Sequence, residues 1–393
     1  MKKILILGAG LWQIPYLQKA KEMRLYVIAT DWSDDAVGKG YADFFQPISV
    51  RDKEASLRFA IENKVDAVFT STDVGVPTAA YIAEQMHLPG ITQAQAELAT
   101  NKFVMRNKLK EIGLKTPLYK MCRTQNELLE AYKLFPQQAI VKPTDNCGSR
   151  GVFIINSEED LKAVAKETFE SSFSGTALIE ELMTGTESSV EVLVDNGSPI
   201  ILGWCKKIKS PFPYRVDMQL DYFPDRSEKE NAEVSEMVHQ LVRGIELKDG
   251  IMHIEFIWTQ EGVKIIEFAL RGCGGNVITR LMPVIRDYDI KKFLISKAMG
   301  EDIPVELKPS KFGTLKFIIP HEGKVKRVDG VDVIKSRDYV VDFHTELCDG
   351  YVVESIKNTS KRPAHVIVTG ESRDDVSAKI NNVLNTFKVE YYD

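Results

Sequence analysis

Cysteine is scarce in this 393-residue chain and poorly placed for cross-linking. Cys122, Cys147, Cys205, Cys273 and Cys348 are odd in number, widely spaced and free of any C-x-x-C pair. That pattern excludes a disulfide framework and a cysteine-rich zinc site, and it fits a reducing, cytoplasmic setting. Long apolar runs are also missing. Stretches such as Ile4–Leu7 and Val340–Val341 fall far short of the ~20 residues that a membrane helix needs. Histidine is sparse too, and none of His87, His239, His253, His321, His344 and His365 shows metal-ligand spacing. No charge of one sign dominates: 51 Lys and Arg stand against 56 Asp and Glu, a net of −5, which leaves no tail for nucleic acid. There is no internal repeat and no low-complexity segment. Lys2-Lys3 before Ile4-Leu5-Ile6-Leu7 imitates a signal peptide, but the run ends at Gly8-Ala9-Gly10 with no small-residue cleavage site, so it reads as a first β-strand. What remains is ordinary globular material, 44% hydrophobic and 27% charged, and long enough at roughly 150 residues per domain for two or three domains.

The first hundred residues alternate strand and helix patterns. Lys3–Leu7, Tyr26–Thr30 and Ala67–Thr70 are apolar, while Trp12–Met23, Lys53–Asn63 and Thr78–Met86 have helical periodicity. Such alternation predicts a parallel sheet with crossover helices. Gly8-x-Gly10 after the first strand and Asp31 at the end of the second open a dinucleotide fingerprint, yet Gln13 stands where the third glycine belongs. Two readings follow, a structural strand-to-helix turn or a cofactor site. From about Thr100 the pattern changes: helices over Lys102–Ile112, Leu128–Leu134, Asp160–Glu170 and Glu228–Gly244, and strands over Ala139–Val141, Val152–Ile155, Ala177–Glu181 and Ser188–Val194. Near Pro304–Pro309 it changes again. Strands are predicted at Thr314–Ile319, Lys324–Val328, Tyr339–Asp342 and Ala364–Thr369, closed by a helix at Arg373–Asn385.

Four constellations carry chemistry. Lys142 ends a strand and is followed by the small, glycine-bearing loop Pro143–Arg150, in which backbone N–H groups can approach anionic oxygens that a lysine also reaches. It is not a Walker loop, whose lysine follows the glycines, and a plain hairpin loop is the competing reading. The second is the hairpin Met252–Phe268. A three-residue turn Gln260-Glu261-Gly262, with Gly262 left-handed, puts Glu255 opposite Glu267. Two carboxylates ~5 Å apart on an apolar hairpin call for a cation between them, and Mg²⁺ prefers such oxygen ligands; solvated carboxylates on an open face are the alternative. Third, Glu180-Glu181-Leu182 and then Glu187 offer an extended backbone for a base edge and a carboxylate for ribose hydroxyls. Fourth, Arg271 precedes the glycine loop Gly272–Asn276, with Arg280 following, and its guanidinium suits a carboxylate or acyl phosphate. His253, two residues before Glu255, shares that face of the strand. Cys147 inside the phosphate loop reads as a small residue in place of serine, or as an oxidisable thiol.

In this order the features resemble the ATP-grasp superfamily, in the branch of biotin carboxylase, carbamoyl-phosphate synthetase, the purine-pathway glycinamide ligases and the L-amino-acid ligases. The resemblance covers nearly the whole chain. It implies an α/β fold with α+β parts: a Rossmann-like pre-ATP-grasp domain over 1–100, an ATP-grasp domain over 101–305 with a lid subdomain about 115–182, and a β-rich C-terminal domain over 306–393. Lys102 and Lys142 then look like the phosphate-binding lysines, and Asn146, Cys147, Gly148, Ser149 and Gly151 like the flexible loop over the phosphates. Glu180, Glu181, Leu182 and Met183 would form the adenine hinge, Glu187 the ribose contact, and Glu255 and Glu267 the metal ligands, with Arg271 steadying an acyl phosphate. Where the family usually writes Glu-Ile-Asn-Pro-Arg, this chain has Glu267-Phe268-Ala269-Leu270-Arg271. Alanine thus replaces a third ligand, so either the two glutamates hold one metal alone or Asn276 reaches back from the glycine loop.

The activity that the resemblance implies is ATP-dependent joining of an amino acid or similar small carboxylate to an amine through an acyl phosphate, with release of ADP and phosphate. The implied cofactors are ATP and Mg²⁺, with Mn²⁺ as an alternative metal, and the implied partners are small-molecule substrates, with neither nucleic acid nor membrane; dimers are common in the family. Lys142 and Arg271 are the catalytic candidates. Ser71-Thr72-Asp73 would line the cleft between the first two domains, and the polar, aromatic segment Lys206–Arg226 reads as a loop over it. Competing readings are a purine-pathway or bicarbonate-using ligase resembling phosphoribosylglycinamide synthetase, an NAD-dependent oxidoreductase, and a silent nucleotide-binding protein.

Overall fold

The computed structural model describes residues 1–135, 138–211, 215–356 and 359–392. A parallel four-stranded sheet comes first, in the order Phe44–Pro47, Tyr26–Asp31, Lys3–Leu7, Ala67–Thr70. Its central strand is a fully buried run of Ile4, Leu5, Ile6 and Leu7, as a sheet covered on both faces requires. The predicted first strand and the helix Lys53–Asn63 keep their expected bounds, and the helix Trp12–Met23 shortens to Ile14–Glu22, where Pro15 supplies a preset first turn. The edge strand Phe44–Pro47 and the helix Gln93–Thr100 carry no clear periodicity in the sequence.

A small antiparallel sheet follows, Tyr119–Cys122, Ala177–Glu181, Ala139–Pro143, Phe153–Ile155, and no strand of it pairs with another sheet. The main body is one antiparallel sheet of eight strands, in the order Gly262–Ala269, Gly250–Thr259, Thr186–Asp195, Ser198–Lys209, Asp217–Tyr222, Phe312–Ile318, Ala364–Gly370, Val340–Thr345. The last three come from beyond residue 306, so the C-terminal residues extend this sheet, and they also build a separate three-stranded one in the order Val352–Val353, Gly323–Asp329, Lys388–Tyr391. The segment Lys206–Arg226, expected as a loop, is mostly strand: Cys205–Lys209 pairs with Asp217–Tyr222. Its polar residues hid the alternation because they find partners on both faces, Lys206 with Glu230 on one and Lys207 with Glu255 on the other. Residues 212–214 of that expected loop lie outside the described residues.

Alternation along the long strands decides which face becomes the core and which becomes the site. Val190, Val192 and Val194 point to one face with Met252, Ile254 and Phe256, where the helix Glu228–Gly244 covers them with Val234, Met237, Val238, Leu241 and Val242. That helix opens on a capping box in which Ser227 and Glu230 satisfy each other's backbone N–H groups. Each such side chain removed from water is worth roughly 1.5–3 kcal/mol. The intervening Ser189, Glu191, His253 and Glu255 must therefore face the other way, and there they line a polar strip.

The hairpin 250–269 reaches its predicted pairing by a different route. Thr259 pairs with Gly262 across a two-residue turn, Trp258 with Val263, and Phe256 with Ile265. Continued unbroken, this register would set Glu255 against Ile266 and send Glu267 to the helix face. A bulge between Glu255 and Phe256 takes up Ile266 as the extra residue, after which Glu255 does oppose Glu267. The buried residues record the change of phase, since odd-numbered Ile265 and even-numbered Phe268 both enter the helix-side core. Arg106 stabilises the bulge: its Nη2 donates to the Ile266 carbonyl at 2.5 Å.

The crossing from the small sheet into the strand Thr186–Asp195 is equally tight. Gly185 has φ +148°, and a Cβ there would lie 1.8 Å from the Trp258 carbonyl oxygen. Gly185→Ala is accordingly expected to destabilise the fold by roughly 2–4 kcal/mol through strain and overlap, read as a lower urea midpoint at unchanged m.

Candidate active site

The polar strip, the small sheet and the parallel domain enclose a cleft of about 490 Å³. Lys102, Asn146, Cys147, Gly148, Ser149, Glu255, Glu267 and Arg271 all line it, together with Asp73 from the first sheet and Arg362 from the C-terminal residues. Lys102 opens the helix Lys102–Glu111. Its Nζ donates to the Asn146 carbonyl at 2.7 Å and stands 3.3 Å from Glu267, so it joins the loop to the hairpin. In the loop, Gly148, Ser149 and Gly151 all take positive φ, a conformation that glycine adopts freely and that turns the chain sharply beside the cleft. The Asn146 side chain works within the loop, donating to the Ser171 carbonyl at 2.6 Å and accepting from the Cys147 N–H at 2.8 Å. Burial, aided by Asp73, pushes the Cys147 thiol up, so it stays protonated.

Lys142 and Glu180 lie beneath the loop, not at the cleft surface. Lys142 Nζ is 2.5 Å from Glu180, and Arg106 Nε donates to the same carboxylate at 2.6 Å, with all three side chains buried. The Glu180 side chain is therefore an internal anchor, whatever its backbone does. Burial alone would raise its carboxyl, but Arg106 and Lys142 hold it down at about 2. Lys142 is drawn below its ordinary range, chiefly by burial; Glu180 opposes this, while Arg106 and Lys102 add repulsion. Two cations share one carboxylate, which leaves an unmatched positive charge at the strand end that leads into the loop 143–151. Of the other hinge residues, Glu181 is exposed, accepts from the Leu118 N–H at 3.2 Å and donates its own N–H to Leu118, while Leu182 donates to Gln138 and Met183 is half-buried. Glu187 is drawn into ion pairs with Lys209 at 2.7 Å and Lys207 at 3.6 Å.

Glu255 and Glu267 face each other across the hairpin, but their charge is already partly offset. Lys207 Nζ is 2.8 Å from Glu255, and His253 Nε2 is 3.1 Å from the same oxygen. His253 Nδ1 meets Glu191 at 2.6 Å, and Glu191 also accepts from Tyr222 and from the Cys273 N–H. Burial works against charge on His253, yet Glu191 and Glu255 raise it to about 9, so the ring is an imidazolium at neutral pH. The Glu255 carboxyl lies well below its usual range despite burial, held there by Lys207 and His253. Asn276 is not brought to this pair. Its Nδ2 donates to Asp342 at 2.8 Å and its Oδ1 accepts from Thr279 at 2.9 Å, so its amide is engaged elsewhere. Proximity in sequence misleads here because Asn276 has φ +64° at the start of the next helical turn, which redirects the chain.

Arg271 forms a forked pair with Asp73, Nε to Oδ1 at 2.8 Å and Nη2 to Oδ2 at 2.9 Å, 198 residues apart in sequence. Burial would raise the Asp73 carboxyl, but Arg271 keeps it low and ionised. In the first domain, the glycine turn is filled from within. A Cβ on Gly10 would stand 3.0 Å from Gln13 Oε1, Gln13 Nε2 bonds Ser71 at 3.1 Å, and Asp31 accepts from the Ala9 N–H at 2.8 Å. Arg106, Glu191 and Arg362 were not singled out in the sequence. Arg106 had a signal, for it lies four residues after Lys102 on the same helix face.

Glu180→Gln tests the buried triad. The depressed Glu180 carboxyl contributes stability that is fully present above its ordinary value near 4.5 and is lost as the pH falls towards about 2. The variant is expected to be less stable at pH 7 and to show a flatter acid limb between those values in pH-resolved chemical denaturation.

Comparison with known proteins bears on the same residues. A model of the ATP-grasp domain matches residues 135–280, and one of the L-amino acid ligase C-terminal domain 2 matches residues 316–392. An uncharacterized protein of Sinorhizobium fredii is 24% identical over 316 residues, which is 79% of this chain but only 65% of that protein's own length. Phosphoribosylamine–glycine ligase of Methanococcus vannielii is 23% identical over 425 aligned positions, covering 99% of this chain and 95% of that one. The crystal structure of L-amino acid ligase from Bacillus licheniformis superposes with a TM-score of 0.84 at 19% identity, over 100% of this chain and 99% of that chain, a likeness of fold. Both domain models fall on the sheets and the cleft just described, so residues 135–280 carry an ATP-grasp domain and residues 316–392 are similar to the L-amino acid ligase C-terminal domain 2.

Proposed function

We propose that this chain is an ATP-dependent ligase that activates an amino-acid or similar small carboxylate as its acyl phosphate and joins it to an amine, releasing ADP and phosphate. The observation that carries this reading is the convergence, in one cleft, of a lysine-backed glycine loop, two opposed glutamates and a forked arginine. The match of residues 316–392 to the L-amino acid ligase C-terminal domain supports an amino acid as the substrate. The second reading, a glycine ligase acting on a ribosylamine, is favoured by the relative from M. vannielii, which aligns along nearly the whole chain.

In this scheme Lys102 and the N–H groups of 146–151 hold the phosphates, with buried Lys142 adding its charge from behind them, the backbone of 181–183 takes the adenine edge, and Glu187 the ribose. Glu255 and Glu267, an all-oxygen pair in register, suit a hard divalent cation, and Mg²⁺ or Mn²⁺ held there supplies positive charge to the triphosphate. Arg271 orients the carboxylate that is to be activated and steadies the acyl phosphate with its planar fork. The surplus positive charge of the Lys142–Glu180–Arg106 triad is positioned before the reaction begins, so little reorganisation is needed as charge develops on the transferred phosphoryl. The loop 146–151 excludes water, to which an acyl phosphate would be lost.

Mixing the protein with ATP, Mg²⁺ and a panel of amino acids, other small carboxylates and amines, a ribosylamine included, should release ADP only when both a carboxylate and an amine are present. Chelation by EDTA should arrest turnover and added Mg²⁺ restore it. Arg271→Lys keeps the charge but loses the fork, and it is expected to lower kcat/KM on the order of 10²-fold. ADP release without any acceptor, or full activity in Arg271→Lys, would count against this function.

A further inference from the structure

Arg362 is a cation of the cleft to which the scheme above gives no role. It lies just before the strand Ala364–Gly370, and its guanidinium carbon stands 3.5 Å from the centroid of the Phe317 ring. Nε donates to the Thr359 carbonyl at 3.0 Å and Nη1 to the Asp217 carbonyl at 3.0 Å. Both partners are neutral. Every other buried or half-buried cation lining the cleft has a carboxylate within 4 Å: Lys102 has Glu267, Lys207 has Glu255, Lys209 and Arg215 have Glu187, and Arg271 has Asp73. Among the described residues, Arg362 has none.

A guanidinium fixed on three sides and left without a counter-ion is costly unless something anionic completes it. The ring and the two carbonyls hold the plane rigid, and the edge that carries Nη2 and the second N–H of Nη1 remains for a ligand. That edge presents two parallel donors, the geometry of a carboxylate fork. Burial draws Arg362 down to about 10, a fall that the more distant Asp217 carboxylate opposes only in part. Its place in the cleft is defined too. Arg362 lines the same cleft as Arg271, Cys273, Gly274 and Gly275. Thr359, which holds Arg362, also sits 3.5 Å from where a Cβ on Gly148 would stand, beside the tip of the phosphate loop.

We propose that Arg362 binds a non-reacting carboxylate of the substrates, so that the cleft selects a substrate pair carrying one carboxylate more than the one activated at Arg271. This rests on the ligase reading and names its substrate class. The extra carboxylate belongs either to the amine-donating amino acid or to the far end of an acidic carboxylate donor, and the two are separable.

Acceptor amino acids are to be compared with their carboxamides, and L-glutamate with L-glutamine as donor, in the wild type and in Arg362→Gln. Expected is a rise in KM of roughly 10- to 100-fold for the carboxylate form in one arm, bringing it level with the amide, while KM for the amide and for ATP stays unchanged. The arm that shifts identifies the substrate. Equal changes for acid and amide, a change confined to ATP, or no change overturns the proposal. Arg362→Lys, which keeps the charge but loses the stacked fork, should lie between the two, and it decides the matter if Arg362→Gln does not fold by circular dichroism. Calorimetric titration with L-alanine, L-alaninamide, L-glutamate and L-glutamine, without ATP, separates this proposal from the ligase reading. Carboxylate-dependent heat that disappears in the Arg362 variants supports the site even if no pair yields ADP, and heat unaffected by the substitutions refutes it.

Discussion

The guanidinium of Arg106 is fully buried, and the site is assembled around it. One edge takes the Glu180 carboxylate, which in turn holds Lys142 beneath the phosphate loop, and the other takes the carbonyl of the bulged Ile266. One side chain therefore sets both the charge under the loop and the phase of the hairpin. Replacing it with an apolar residue of equal volume would preserve packing but strand the Glu180–Lys142 pair and release the bulge, and the two halves of the site would lose their common reference.

That arrangement shows why charge in this cleft is dense without being strongly unbalanced. Glu191, His253, Glu255 and Lys207 follow one another along the strip in hydrogen-bond or ion-pair contact, and His253, Glu255 and Lys207 are each drawn toward their charged forms by their neighbours. In a poorly solvated cleft such a row is stable only as a whole, since removing one member leaves its neighbours unmatched. The row also keeps side chains in fixed positions where a ligand, and not water, is to meet them.

Much of the fold was legible because alternation of apolar and polar residues is physical. Lys3–Leu7, Ala67–Thr70 and Glu228–Gly244 bury one face or both, and the sequence says so. Glu255 and Glu267 were paired correctly but through the wrong turn, because the doublet Ile265-Ile266 conceals which of the two leaves the ladder, and that is decided by Arg106 some 160 residues away. Ser198–Lys209 escaped for a related reason: its lysines are buried by carboxylates distant in the chain, and a local window registers only their polarity. Asn276 failed in the opposite direction, since sequence nearness to Glu267 says nothing about where a left-handed residue turns the backbone.

The eight-stranded sheet has a mechanical consequence. Glu255, Arg271 and Arg362 all stand on or beside strands of that single ladder, and the junction between Asp217–Tyr222 and Phe312–Ile318 is itself four paired residues wide. To move one of these groups relative to another would mean shearing a hydrogen-bonded sheet. The small sheet bearing Lys142 shares no strand with it and touches the first domain through the stacking of Arg51 on Phe173. One wall of the cleft is thus built as a gauge, in which the spacing between these groups is set by the hydrogen-bonded register of a single sheet.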